Sequence, residues 1–442
     1  MTGLLQKYNQ PAPRYTSYPP APHWGNANGD LLVSALRESS APLSIYVHIP
    51  FCERLCLYCG CNVVVRKDHA PAEPYIDCLT TEMGLLTAAH GRRVTQMHWG
   101  GGTPTYLTPE QITRLFDTIA AGFALAPGIE LSIEIDPRVT TREHLRTLRS
   151  LGFNRLSMGI QDFDKTVQLA VRRIQSFEQT RDLFDHARML GFESINADLI
   201  YGLPHQTGPS FDRTLDLLLE LVPDRVAVFS YAHVPSIKRQ QKSFEKYLPA
   251  ESEKLQLFVD AGNRLTSAGY ERIGMDHFAR PSDPLVAARG NGTLHRNFQG
   301  YTTHAETDLI GFGVSAISNV GATFTQNCRD LGLYEAMVRQ GDPPVVRGYV
   351  LLEDDSIRAA VIETCLCNGT IFKDNIEKRF GIDFDDYFKT ELVRLDELER
   401  DGLIEGRDGP RIRVTPTGWS FVRSVAKVFD AFQPAPVASR AI

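Results

Sequence analysis

Along the first two-thirds of the chain, short apolar and β-branched runs alternate with longer stretches in which apolar residues recur every three to four positions. The runs SIYVHIPF (44–51), TQMHWGG (95–101), ELSIEID (130–136), RLSMGI (155–160), SINADLIYG (194–202) and RVAVFSYAH (225–233) have the length and composition of strands. Helical periodicity covers 74–89, 109–121, 142–151, 176–190, 210–221 and 250–268. Strand and helix taking turns in this way predict a parallel sheet, because each helix returns the chain to the end where the last strand began.

No Gly-x-Gly-x-x-Gly segment opens the series, so a dinucleotide-binding doubly wound sheet is not favoured. The expectation is an α/β fold, a partial (β/α)6-type TIM-like barrel. Reactive groups of such barrels gather at the carboxyl ends of the strands, and the polar motifs fall there: the cysteines after the first run, GGGTPT (100–105) after the second, Glu134 and Asp136 closing the third, Gln161 after the fourth. From about 340 the pattern turns helical and then reads LERDGLIEGRDGPRIRVTPTGW, with a turn between two short strand-like runs. Three units are therefore expected: an N-terminal arm at 1–40, a barrel at 41–340, and a mainly helical, winged-helix-like domain at 341–442.

Composition adds limits. The 442 residues are 43% hydrophobic, enough for a large core, and no uninterrupted apolar run approaches the roughly 18 residues of a membrane span. The N-terminal MTGLLQKYNQPAPRYTSYPP lacks a secretory apolar segment, so a cytoplasmic location is expected. A formal net charge of −6 gives no support for a nucleic-acid partner, and residues 351–430 hold 12 basic and 17 acidic side chains, which disfavours a DNA-tracking winged helix.

Four of the eight cysteines lie between Cys52 and Cys61, a clustering unlike a disulfide framework. Cys52, Cys56 and Cys59 have C-x3-C-x2-C spacing, tight enough for one loop to hold three corners of an iron–sulfur cube and leave the fourth iron open to a small chelating ligand. A zinc knuckle or an electron-transfer cluster also uses close cysteines, and Cys61 is available as a fourth ligand, a hydrogen donor or a small buried side chain.

The string YVHIPFCERLCLYCGCN, with aromatic Tyr58 before the third cysteine, carries the radical S-adenosylmethionine signature. Together with PRYTSYP (13–19), HWGGGTPTYL (98–107), SIEIDPR (132–138), FNRLSMGIQDF (153–163), DLIYGLP (198–204), GMDHFARP (274–281) and LHRNFQGYTT (294–303), it resembles the oxygen-independent coproporphyrinogen III oxidase family along most of the chain. The resemblance implies one [4Fe–4S] cluster on Cys52, Cys56 and Cys59, and two molecules of S-adenosylmethionine contacted by Tyr46, Tyr58, Gly101, Gly102, Thr103, Glu134, Gln161, Arg173, Asp198, Ala232 and Ile317. It implies a catalytic part for Cys61, since related haem chaperones carry Phe there, and substrate contacts from Arg14, Tyr15, Arg280 and Arg296, with Tyr18 and His295 beside them. It further implies that the arm at 1–40 covers the active site of a catalytic barrel at 41–340. The implied reaction is oxidative decarboxylation of two propionates of coproporphyrinogen III to vinyl groups in anaerobic haem biosynthesis, by a monomer reduced by a flavodoxin- or ferredoxin-type donor. A haem-binding chaperone and a haem-modifying radical enzyme are the alternatives.

Overall fold

The computed structural model describes residues 2–432; the terminal QPAPVASRAI (433–442), the last part of the expected C-terminal unit, lies outside them. Seven parallel strands form the centre: β1 (Leu43–Ile49), β2 (Arg93–Gly101), β3 (Ala124–Ile135), β4 (Arg155–Gln161), β5 (Ser194–Tyr201), β6 (Arg225–Ser230) and β7 (Asp308–Phe312). Each of β2 to β6 joins the far side of its predecessor, and β7 closes on the other side of β1. This one-directional winding is that of a barrel rather than a doubly wound sheet, whose order reverses at a switch point. Antiparallel strands extend both edges to thirteen strands among the described residues, and the two outermost strands are not paired, so the barrel is partial.

The helices begin where their caps stand. Thr108 accepts from Gln111 N ahead of Pro109–Gly122, Thr141 from His144 N ahead of Arg142–Ser150, and Thr207 from Ser210 N ahead of Gly208–Leu221. Along the strands, alternate residues point to opposite faces. Ile45, Val47, Met97, Trp99, Ile133, Leu156, Met158, Ile195 and Leu199 turn outward into one large core beneath the helices. The intervening polar positions turn into the lumen.

The seventh parallel strand, DLIGF, escaped the six-strand reading because the helix Glu251–Ser267 is followed not directly by a parallel strand but by two antiparallel hairpins, which interrupt the strand–helix rhythm ahead of it. The expected divisions at 40 and 340 also do not coincide with the packing. Gly25–Asn26 pairs with Val345–Val350 on the sheet edge, and the helix Gly29–Glu38 buries Leu32 and Leu36 in the barrel core. Residues 2–18 instead join the C-terminal unit, where Leu5, Tyr8, Tyr15 and Tyr18 share a core with Ile357, Val361, Phe384 and Phe421. That unit runs helix (Glu353–Asn368), strand (Thr370–Phe372), helices within 373–400, then a hairpin of Ile404–Glu405 and Arg411–Val414, the order of a winged helix.

Candidate active site

Parallel register sets the lumen side chains edge to edge: Tyr46 stands opposite His98, His98 opposite Ser132, Glu134 opposite Ser157 and Gly159 opposite Asp198. The Tyr46 hydroxyl lies 3.0 Å from His48 Nδ1, and its ring stacks on His98 with centroids 6.1 Å apart. His98 reaches Ser132 Oγ at 2.7 Å and Glu134 Oε1 at 3.4 Å. Desolvation in the lumen opposes ionisation of Glu134, but His98 and the Gly101 N–H, 3.1 Å from Oε2, outweigh it and hold the carboxyl below its ordinary range. Asp198, which accepts from Ser157 at 3.0 Å and Asn196 at 2.7 Å, goes the other way, to about 6, because of desolvation and the nearby Glu134 charge.

The glycines after β2 are required by close approach. A Cβ on Gly101, at φ 110°, would lie 2.5 Å from the His48 ring, and one on Gly102 would lie 2.7 Å from Pro50 backbone. Gly102 N and Thr103 N donate to Ile49 O and Phe51 O at 2.8 and 2.9 Å, pinning this turn to the start of the cysteine loop. Thr103 Oγ1 sits 3.3 Å from Cys52 Sγ.

Arg138 Nη2 and Arg173 Nη1 approach Cys56 Sγ at 3.2 and 3.5 Å while sharing Asp136, whose carboxyl the two guanidiniums, against its desolvation, hold at about 2. Desolvation pushes the Cys52 thiol up to about 12, and a hydrogen bond with Cys61 draws Cys59 down to about 6 while raising Cys61. Gln161 stands at φ 70° where β4 slips register against β5, which turns its amide into the cavity.

Cys52, Cys56, Cys59, Cys61, Tyr58, Gly101, Gly102, Thr103, Glu134, Gln161, Arg173 and Asp198 thus line one cavity of about 160 Å³. Tyr46 and Ile317 are not among the residues lining it: Ile317 backbone packs against Gly311, the strand partner of Tyr46, and Ala232 is exposed just beyond β6. Arg14 pairs with Asp276, and Arg296 Nη1 donates to Arg14 O at 2.6 Å, so these two arginines meet. Tyr15 is buried against Asp430 at 3.0 Å. Tyr18 and His295 line a neighbouring cavity of about 340 Å³ with Arg296. Arg280 is not brought in: it is exposed at the amino ends of the strands, its N–H donating to Asp224 O at 2.9 Å, opposite the cysteine loop.

Sequence reasoning missed the support of the loop. Gln241, fully buried, donates to Tyr58 O at 3.0 Å and Ala232 O at 3.2 Å and accepts from Val234 N at 2.7 Å. Lys238 and Gln240 hold Cys61 O and Cys59 O at 2.6 and 3.2 Å. The polar string KRQQK carried no signal, since a solvated turn would read the same. His98, by contrast, was legible in HWGGG as the polar partner, two positions on, of Gln96.

Residues 46–218 match the Radical SAM superfamily and residues 351–421 the HemN C-terminal domain. The oxygen-independent coproporphyrinogen III oxidase of Escherichia coli (strain K12) is 46% identical over 433 residues, covering 97% of this chain and 94% of its own. That of Synechocystis is 44% identical over 441 residues, with the same two coverages. The chain belongs to this family. A solved structure of coproporphyrinogen III oxidase (HemN) from Escherichia coli, described as a radical SAM enzyme, superposes with a TM-score of 0.92 at 43% identity, covering 98% of this chain and 99% of that one.

A family member of this kind carries a [4Fe–4S] cluster on three cysteines and binds S-adenosylmethionine. The cavity fits both. Gln161 Oε1 and Arg173 Nε are buried there without a hydrogen-bond partner among the described residues, and the glycine turn has no room for a side chain of its own. Among the described residues no three ligand groups converge on a single metal ion, and a cube does not ask them to, because it binds each cysteine at a separate corner.

Proposed function

We propose that the protein converts two propionates of coproporphyrinogen III to vinyl groups, giving protoporphyrinogen IX, in anaerobic haem biosynthesis. The observation that carries this is one cavity bringing Cys52, Cys56 and Cys59 to the glycine turn, in a chain 46% identical to a curated oxidase of that name over nearly its whole length. In this reading those cysteines hold the cluster, and Tyr46, Gly101, Gly102, Thr103, Glu134 and Ile317 hold the S-adenosylmethionine bound to it. When bound, the two groups would supply one-electron reductive cleavage and, through it, hydrogen-atom abstraction from an unactivated propionate carbon.

The chain's own residues position and shield. Arg138 and Arg173 place positive charge beside Cys56, offsetting the negative charge of a thiolate-bound cube. Tyr58, Gln161, Arg173, Asp198 and Ala232 are assigned to a second S-adenosylmethionine. Of these, Tyr58, Gln161, Arg173 and Asp198 line the cavity of the cysteine loop, and Asp198 also lines an adjoining cavity of about 180 Å³ that shares Glu134 and Ser157 with it. Arg14 and Arg296 are assigned to propionate carboxylates, with the arm at 2–18 moving with the C-terminal unit as the cover of the barrel. No side-chain base is needed, because the unactivated C–H bond gives up an atom rather than a proton. Cys61 is assigned a hydrogen- or electron-handling part beside the cluster. No described helix is long and apolar enough to cross a membrane, and we propose a monomer working in the cytoplasm.

Anaerobic incubation with S-adenosylmethionine, a reductant and coproporphyrinogen III, followed by mass analysis, tests the reading. The expected products are protoporphyrinogen IX, CO2 and 5′-deoxyadenosine. Stoichiometric haem binding with neither CO2 nor 5′-deoxyadenosine would overturn it.

A further inference from the structure

Three segments meet around the cysteine loop and form one continuous face. Leu57 N donates to Val171 O at 2.9 Å, joining the loop to 165–174, and the side chains of Lys238, Gln240 and Gln241 join it to 237–247. Beneath them Leu57, Tyr58, Val167, Val171, Tyr231, Phe244 and Leu248 make a small separate core, so the face is rigidly backed.

Its outer surface is unusual in two ways. Four large apolar side chains stand out of it: Leu169 is 63% exposed, Ile174 66%, Ile237 55% and Tyr247 44%. Around them, with the buried Arg173 set aside, residues 52–61, 165–174 and 237–247 carry seven basic and two acidic side chains, in a chain whose formal net charge is −6. Arg54, Lys165, Arg172, Arg239, Lys242 and Lys246 are exposed. Apolar side chains ringed by like charges have the make-up of a protein-docking patch, and the charge selects an acidic partner and speeds its approach. The patch also lies directly over the backbone of Tyr58, Cys59 and Cys61.

We infer that this face docks an acidic protein carrying a low-potential one-electron centre. The inference rests on the radical S-adenosylmethionine reading, in which the cluster must be reduced before each cleavage. One electron leaves the docked carrier, which is oxidised by one electron, and enters the cluster; no atom is transferred. Docking against the ligand loop shortens the electron's path to that of the loop itself.

The test compares two reductants on the cofactor-loaded enzyme. Arg239→Glu, Lys242→Glu and Lys246→Glu are combined, and 5′-deoxyadenosine formation is followed with fully reduced flavodoxin and, separately, with dithionite. These residues line none of the cavities described above. The expected result is a loss of about tenfold or more with flavodoxin and an unchanged rate with dithionite, as removal of steering charge should produce. Lys165→Glu with Arg172→Glu, on a different element, should reproduce it, so misfolding of one variant does not decide the matter. Equal loss with both reductants at unchanged cluster absorbance would overturn the docking assignment, as would no loss with either. A wild-type enzyme that turns over with dithionite but never with flavodoxin would overturn it too. A wild-type enzyme inactive with both takes down the proposed function and this inference with it.

Discussion

At the residue scale the proposed reading separates the clustered cysteines into three ligands and one neighbour. Replacing Cys52, Cys56 or Cys59 by Ala should abolish the broad visible absorption of the reconstituted cluster, and an intact spectrum removes that residue from the ligand set. Cys61→Ala should keep most of the iron while slowing turnover, read as iron per chain beside product formed. A second residue-scale expectation concerns Glu82, 1% exposed on the helix Ala72–Leu85 and accepting from Gly313 N, Asn327 Nδ2 and Tyr334 Oη at 2.8, 2.6 and 2.7 Å. Burial raises its carboxyl to about 7 despite these donors. A raised folded-state pKa means the contribution is complete below about 4.5, the unfolded value, and is lost as pH rises through 7. Urea unfolding of the wild type should therefore lose about 3 kcal/mol through this group between pH 5 and 8. Glu82→Gln should flatten that part of the slope; an unchanged slope assigns it elsewhere.

At the scale of elements, strands were readable because each has a plain outward face. β4 alternates Leu156, Met158 and Ile160 with Ser157, Gly159 and Gln161, so both its existence and its lumen side follow from period two. What could not be read is which lumen residue stands beside which. His98 meets Ser132 and Glu134 only through the parallel register of β2 with β3. The turn at 238–241 is the extreme case, since its bonds to the cysteine loop span about 180 residues of chain and leave no local pattern. Gln241→Leu should strand the carbonyls of Tyr58 and Ala232 and the N–H of Val234, a cost of about 3 kcal/mol. Its expected signature is faster loss of iron to a chelator with all three cysteines intact; wild-type iron retention would make Gln241 a packing residue only.

On the scale of the whole molecule, the two ends of the chain work as one body. Arg423 Nε donates to Pro13 O at 3.1 Å, Lys427 to Pro11 O at 2.9 Å and Ser424 to Tyr8 O at 2.7 Å, so the arm is sewn to the C-terminal unit rather than hinged from the barrel. On the barrel side Asn9 donates to Glu251 at 3.2 Å, and Arg14 pairs with Asp276, a carboxylate that also takes His277 Nδ1 at 2.7 Å. Arg14→Ala should leave that buried carboxylate short of charge and cost about 3 kcal/mol in unfolding experiments. If Arg14 also holds a propionate, the variant should form 5′-deoxyadenosine in excess over CO2, and a tight one-to-one ratio would confine Arg14 to a structural part.

The sequence by itself determined the parallel strands, the helical stretches, the clustering of the cysteines and the family, because each is written in residues close together in the chain: period two, period three to four, three cysteines in eight positions. Only the tertiary structure decided that Arg280 stands at the wrong end of the strands, that residues 25–38 belong to the barrel and 2–18 to the far domain, and that Gln241 holds the loop. Those are matters of register and of which surfaces bury each other, and burial is a property of pairs of segments that local pattern does not contain.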